Sequence, residues 1–140
     1  MSMTLYVILS LSDVPDTNSL NEKSTLLKTP IVFSENIDLK THSGFLPVKL
    51  KGESSGVETY FSAYSEFIEF FPNFDLSQYN EPVVITFRWG GDINEMIVAL
   101  NTAYLLGHDV VSTVFEPEGG MFLTNEQVKE GADAILNNGI

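Results

Sequence analysis

His42 and His108 are the only imidazoles in the chain, and cysteine is absent. Thiolate nucleophiles, disulfide frameworks and Cys-ligated zinc are thereby removed, and two histidines are few for a zinc site without cysteine. His42 adjoins Ser43 in a polar stretch, but adjacency in sequence does not supply the nucleophile–base geometry of a triad. His108 follows Gly107 at the end of an apolar stripe, where an imidazolium would meet the negative end of a helix dipole. Ser54 stands in Gly52-Glu-Ser-Ser-Gly56, which has the G-x-S-x-G spelling, but that stretch reads as a turn between two strands and not as the strand-to-helix elbow that exposes a nucleophile,. Gly90-Gly91-Asp92 is placed between a strand and a helix, where anions bind, yet the Asp92 carboxylate would itself occupy the exposed amides and repel a phosphate. The residues therefore assign no catalytic group, no metal and no cofactor.

Carboxylates are the chemistry that remains. Glu66 and Glu69 flank an apolar stripe and read as its solvated edge. Glu116 and Glu118 bracket Pro117 in a turn, where two acids make no calcium loop. A hydrolase needs only two acids correctly spaced in three dimensions, at any separation in sequence. Arg88 and Trp89, the only arginine and the only tryptophan, are neighbours in an apolar run, so a strand would send them to opposite faces,. Trp89 then joins the core with Val83, Ile85 and Phe87. Arg88 either pairs with a nearby acid such as Asp92 or Glu116, or grips a carboxylate ligand in a pocket rimmed by Tyr60 or Tyr64.

Charge placement says more than any motif. Residues 1–51 carry five lysines and five acids, whereas residues 52–140 carry Arg88 and Lys129 against fourteen acids, so the later segment holds the entire net charge of −12. No lysine or arginine lies between Arg88 and Lys129, while Asp92, Glu95, Asp109, Glu116, Glu118 and Glu126 do. Such a field disfavours nucleic acid and anionic membrane surfaces as partners. It serves solubility, and it also speeds and selects encounter with a basic protein.

The elements that position these residues follow from periodicity and caps. Residues 5–11 read as a core strand, too short and unflanked for a signal peptide or membrane span. Residues 17–28 are ambiguous, and residues 31–33 form a short strand. Residues 45–51 alternate apolar and polar, with Pro47 indicating a sheet edge. Residues 52–56 then make a turn and 57–62 return as the hairpin partner. Tyr64, Phe67, Ile68 and Phe71 recur at helical spacing until Pro72 stops them. Residues 83–89 are a central strand. Asp92 caps a helix striped by Ile93, Met96, Ile97, Leu100 and Tyr104, with Gly107 as its stop. A strand at 110–115, a return at 121–123 and a helix capped by Thr124 with Gln127 complete the chain.

At 140 residues with 44% hydrophobic content, these elements imply one domain, 1–140,. Its expected class is α+β in two layers, a mixed or antiparallel sheet with helices packed on one face. The expected function is a non-catalytic, cytoplasmic, acidic domain that binds a basic protein partner, in concrete form an inhibitor or immunity-type protein neutralising a toxin-like protein. Asp92, Glu95, Asp109, Glu116 and Glu118 would supply the charge, with Tyr104 and Phe122 as anchors. Two alternatives stay open: a small-molecule-binding domain or carboxylate-dependent hydrolase, favoured by a pocket with two converging acids or an unpaired Arg88; and a homo-oligomeric structural component joined through the Pro47 strand and an exposed aromatic patch.

Overall fold

A computed structural model describes residues 2–67 and 73–138. Seven strands form one sheet: β1 (Met3–Ser10), β2 (Ile31–Phe33), β3 (Ser43–Leu50), β4 (Glu53–Ala63), β5 (Pro82–Trp89), β6 (Ser112–Glu116) and β7 (Met121–Leu123). Their spatial order is β2-β3-β4-β5-β1-β6-β7, and every pairing is antiparallel. Among the described residues three α-helices accompany them: α1 (Thr17–Leu27), α2 (Ile93–Gly107) and α3 (Asn125–Asn137). The expected α+β class is thus observed, with the sheet antiparallel throughout. No helix among the described residues is long and apolar enough to cross a membrane.

Period-two alternation decides what each strand does. Leu5, Val7 and Leu9 of β1 and Val83, Ile85, Phe87 and Trp89 of β5 face the helices and bury against Ile97, Val98, Leu105 and Leu106 of α2. The intervening side chains turn to the other face. There Ile8 and Val84 sit under a smaller cluster with Tyr64, joined by Tyr6, Phe67, Phe74, Leu76, Tyr79 and Phe115. Arg88 and Trp89 accordingly part to opposite faces, Trp89 buried and Arg88 exposed.

Several local readings change. The ambiguous stretch is α1, capped by Asp16, whose side chain accepts from the Ser19 amide at 2.9 Å. Its buried stripe contains Thr17 and Ser24 beside Leu20, so no apolar period reveals it. Those hydroxyls are satisfied across the fold: Ser24 donates to the Ile31 carbonyl at 2.6 Å, and Thr17 accepts from the Ile37 amide at 3.0 Å.

The turn expected over 52–56 is two residues, Lys51 and Gly52, both at positive φ (51° and 82°), the pattern of a primed hairpin turn,. Strand β4 therefore starts at Glu53. Pro47 marks an edge only locally, because β2 covers Val48–Leu50 and leaves as the Ser34 amide bonds to the Pro47 carbonyl. From 64 to 67 the chain is a short 3-10 turn; Ile68, Phe71 and Pro72 of the expected helix lie outside the described residues.

Gly107 is the last helical residue, not a left-handed stop; the positive φ falls at Asp109 (67°). A Cβ at Gly107 would approach the Ser112 hydroxyl and the Asn125 amide, which is why glycine stands there. The final carbonyls of α2 are capped from elsewhere: Lys23 of α1 donates to the Leu105 and His108 carbonyls at 3.1 and 2.9 Å, and Asn125 donates to the Tyr104 carbonyl at 2.9 Å.

Two glycines separate conformational need from close packing. Gly56 has φ +151°, and a Cβ there would collide with the Leu46 carbonyl and the Phe45 ring, whereas Gly52 faces open space. Gly56→Ala is expected to cost about 2 kcal/mol or more, and Gly52→Asn at most about 1 kcal/mol. Urea denaturation midpoints check both; equal costs would show that the Phe45–Gly56 approach relaxes freely.

Candidate functional site

The C-terminal end of β5 gathers most of the relevant side chains. Arg88 pairs across the sheet with Glu58 of β4 on one side and Thr4 of β1 on the other, and Met3 lies opposite Trp89. Beyond Trp89 the chain turns through Gly90 and Gly91, and Asp92 caps α2 by accepting from the Asn94 and Glu95 amides at 2.8 and 3.4 Å. The β6–β7 turn brings Glu116 and Glu118 to the same end, beside Thr4. Burial, with the charges of Asp92 and Glu58 behind it, raises the Glu95 pKa. Five acids, Glu58, Asp92, Glu95, Glu116 and Glu118, thus surround one end of the sheet.

Glu116 and Glu118 form a pair. Glu116 accepts from the backbone amides of Glu118, at 3.0 Å, and Gly119, which fixes its carboxylate within the turn. The Glu118 carboxyl is raised in pKa, first by burial, then by its hydrogen bond to Glu116 and the Glu116 charge; the amides of Glu118 and Thr4 pull it the other way. Both acids stand at the rim of a cleft of about 280 Å³ lined by Met3, Leu5, Trp89, Met96, Leu100, Leu123 and Ile135, with Gln127 and Gly131 from α3.

A second hollow, shallower and wider at about 380 Å³, opens on the far face of the sheet. It is lined by Tyr6, Tyr60, Ser62, Phe67, Thr86 and Arg88. Arg88 forms no ion pair with a described residue, neither with Asp92 nor with Glu116, because its face of β5 points away from the helix that carries Asp92 and from the cleft that Glu116 rims. Tyr60 is in the hollow and donates to Glu58 at 2.6 Å, which raises the Tyr60 pKa. Tyr64 is not; it is buried under the smaller aromatic cluster.

Other expected residues fall elsewhere. Asp109 sits at the far end of α2, roughly 25 Å along the axis from Asp92, beside His108 at 3.3 Å and within the field of Lys23. Tyr104 is half-buried between α2 and α3, with the His108 ring at 5.8 Å and the Lys129 ammonium over its face. Phe122 is 49% exposed and packs against Phe115 and Phe74 next to the acidic turn. His42 bonds to the start of β3 through the Gly44 and Phe45 carbonyls. Glu66 is exposed, and Glu69 lies outside the described residues.

Sequence reasoning missed Glu58, whose two-residue spacing from Tyr60 placed both on one strand face, and it missed the cleft. Among the described residues no three His, Asp or Glu side chains converge to hold a metal. The chain matches no protein-family model, and no curated protein or solved structure is significantly similar to it.

A raised carboxyl pKa means that the folded chain holds the proton to higher pH than the unfolded chain. Stability from Glu118 is therefore full below the ordinary glutamate range and lost as pH rises through the folded value. Glu118→Gln, neutral at every pH, is expected to be more stable than the parent at pH 7 by about 0.5 kcal/mol, a small figure because the side chain is exposed, and to converge with it below about pH 4. Thermal midpoints between those values check this; a variant less stable than the parent at neutral pH refutes it.

Proposed function

We propose that the protein is a non-catalytic binding domain that docks a basic protein partner with the acidic end of its sheet. What supports this reading is that Glu58, Asp92, Glu95, Glu116 and Glu118 surround that end and none is ion-paired with a lysine or arginine among the described residues. The opening lysines do not neutralise them: Lys23, for one, is spent on the carbonyls of α2. Carboxylates held near one another in this way raise each other's energy, and an incoming cationic surface relieves that repulsion.

Anchors stand beside the charge. Met121 is 52% exposed and Phe122 49%, both on the strand that follows the acidic turn. An exposed aromatic next to unneutralised carboxylates is the composition expected of a contact whose charge speeds encounter while a few apolar groups supply affinity. Tyr104 and Asp109, at the far end of α2, take no part in this surface. The finer form of the proposal is a cytoplasmic inhibitor or immunity-type protein whose carboxylates take the places of phosphates in the cationic cleft of a toxin-like partner.

Affinity capture on the full chain from its native cell tests the reading. One basic protein should be retained at low salt and released at roughly 0.5 M salt, where screening shortens to a few ångströms. Glu116→Lys with Glu118→Lys should weaken capture at least about tenfold, a loss of about 1.4 kcal/mol, while Asp109→Lys at the other end of α2 leaves it unchanged. Capture that ignores both salt and the double reversal would refute the proposal.

A further inference from the structure

We propose that the cleft between α2, α3 and the β1–β6 end of the sheet is a binding site for a small amphiphilic cation, a primary amine carried on an apolar body. The inference goes beyond docking of a protein and does not require it. The cleft's wall is almost wholly apolar, with Met3, Trp89, Met96, Leu100, Leu123 and Ile135 around a space of about 280 Å³. A cavity of about 150 Å³ already accepts benzene, so this one has room for a chain of about eight carbons.

Charge complementarity selects the head group. The polar rim carries Glu116 and Glu118, two residues apart in one turn and paired with no lysine or arginine among the described residues. An ammonium on this pair would replace two mutually repelling carboxyls with a neutralised cluster, and its tail would lie in the cleft. A carboxylate head would meet the same pair as a like charge.

Gly131 keeps the space open. It lies inside α3 (Asn125–Asn137), where glycine is unfavourable, yet its φ is not positive and a Cβ added to it would meet nothing within 4 Å,. Neither backbone conformation nor close packing demands a glycine there. Its missing side chain leaves the cleft unfilled.

Trp89 is the only tryptophan and lines the cleft, so its emission reports occupancy. The full-length protein is titrated at pH 7 with octylamine, octan-1-ol and octanoate, each below its micelle concentration. Octylamine is expected to change Trp89 emission saturably, with half-saturation at least about tenfold below octanol, and octanoate weakest. Shortening the amine from eight to six carbons should raise half-saturation about fifteenfold, near fourfold per methylene.

Glu116→Gln with Glu118→Gln should abolish the preference for the amine and keep octanol binding, which also shows that the cleft is still formed. Gly131→Leu, a change that favours the helix, should fill the cleft and remove the response to all three. No saturable response in the parent, equal half-saturation for the three probes, tighter octanoate, or binding that survives Gly131→Leu would each overturn the proposal. Partner capture that depends on Glu116 and Glu118 but is indifferent to Gly131→Leu would leave the docking reading standing while the titration decides the cleft.

Discussion

The packing of α2 across β4, β1 and β5 is the contact from which the rest of the arrangement follows. Ten of the fifteen residues of α2 are buried, so the helix has almost no solvent face and is fixed along its whole length. A helix held this way carries its two ends to defined places. Its N-terminus, capped by Asp92, is delivered beside the last residues of β5 and the first of β1. Its C-terminus, with the carbonyls bound by Lys23 and Asn125, lies at the other end of the sheet. The acids that are near in sequence, Asp92 and Asp109, are therefore far apart in space, whereas Asp92 and Glu58 share one field.

That separation explains what the sequence made legible and what it hid. Strands β1 and β5 announce themselves by unbroken apolar and β-branched residues, and α2 and α3 by caps and stripes, with Thr124 and Gln127 forming the reciprocal capping box that their spacing implies,. Helix α1 stays hidden because two hydroxyls occupy its buried stripe, and their bonds to Ile31 and Ile37 exist only once the tertiary fold is made. The hairpin turn was displaced because Gly56, a residue type that usually marks turns, is required by a crowded cross-strand approach to Phe45,. Gly107 misled in the same way, being small for Ser112 and Asn125 and not for a left-handed φ.

The site was legible in its parts and illegible in its assembly. Glu116 and Glu118 could be named because a turn must project both, and Arg88 and Trp89 because alternation must divide them. The cleft could not, since Met3, Trp89, Leu100 and Ile135 each satisfy the pattern of a core residue and only their failure to meet leaves a space. Periodicity records which way a side chain points, not whether a neighbour reaches it. The glycine at 131 is the one local sign of the gap, visible as an unforced loss of helix propensity.

A fold built this way carries an electrostatic cost that packing does not require. The raised pKa values of Glu95 and Glu118 show carboxyls held where ionisation is disfavoured by burial and by neighbouring acids, although substitution to neutral residues would leave the surrounding apolar contacts in place. Asp16 differs in kind: its lowered pKa follows from the amide it caps, so its charge stabilises the helix that needs it,. Asp92 also caps a helix, and yet it adds to the field that burdens Glu95. Opposing charge brought from outside is the term missing from this balance, and the same missing term is what a cationic surface, or an ammonium seated at the cleft, would supply.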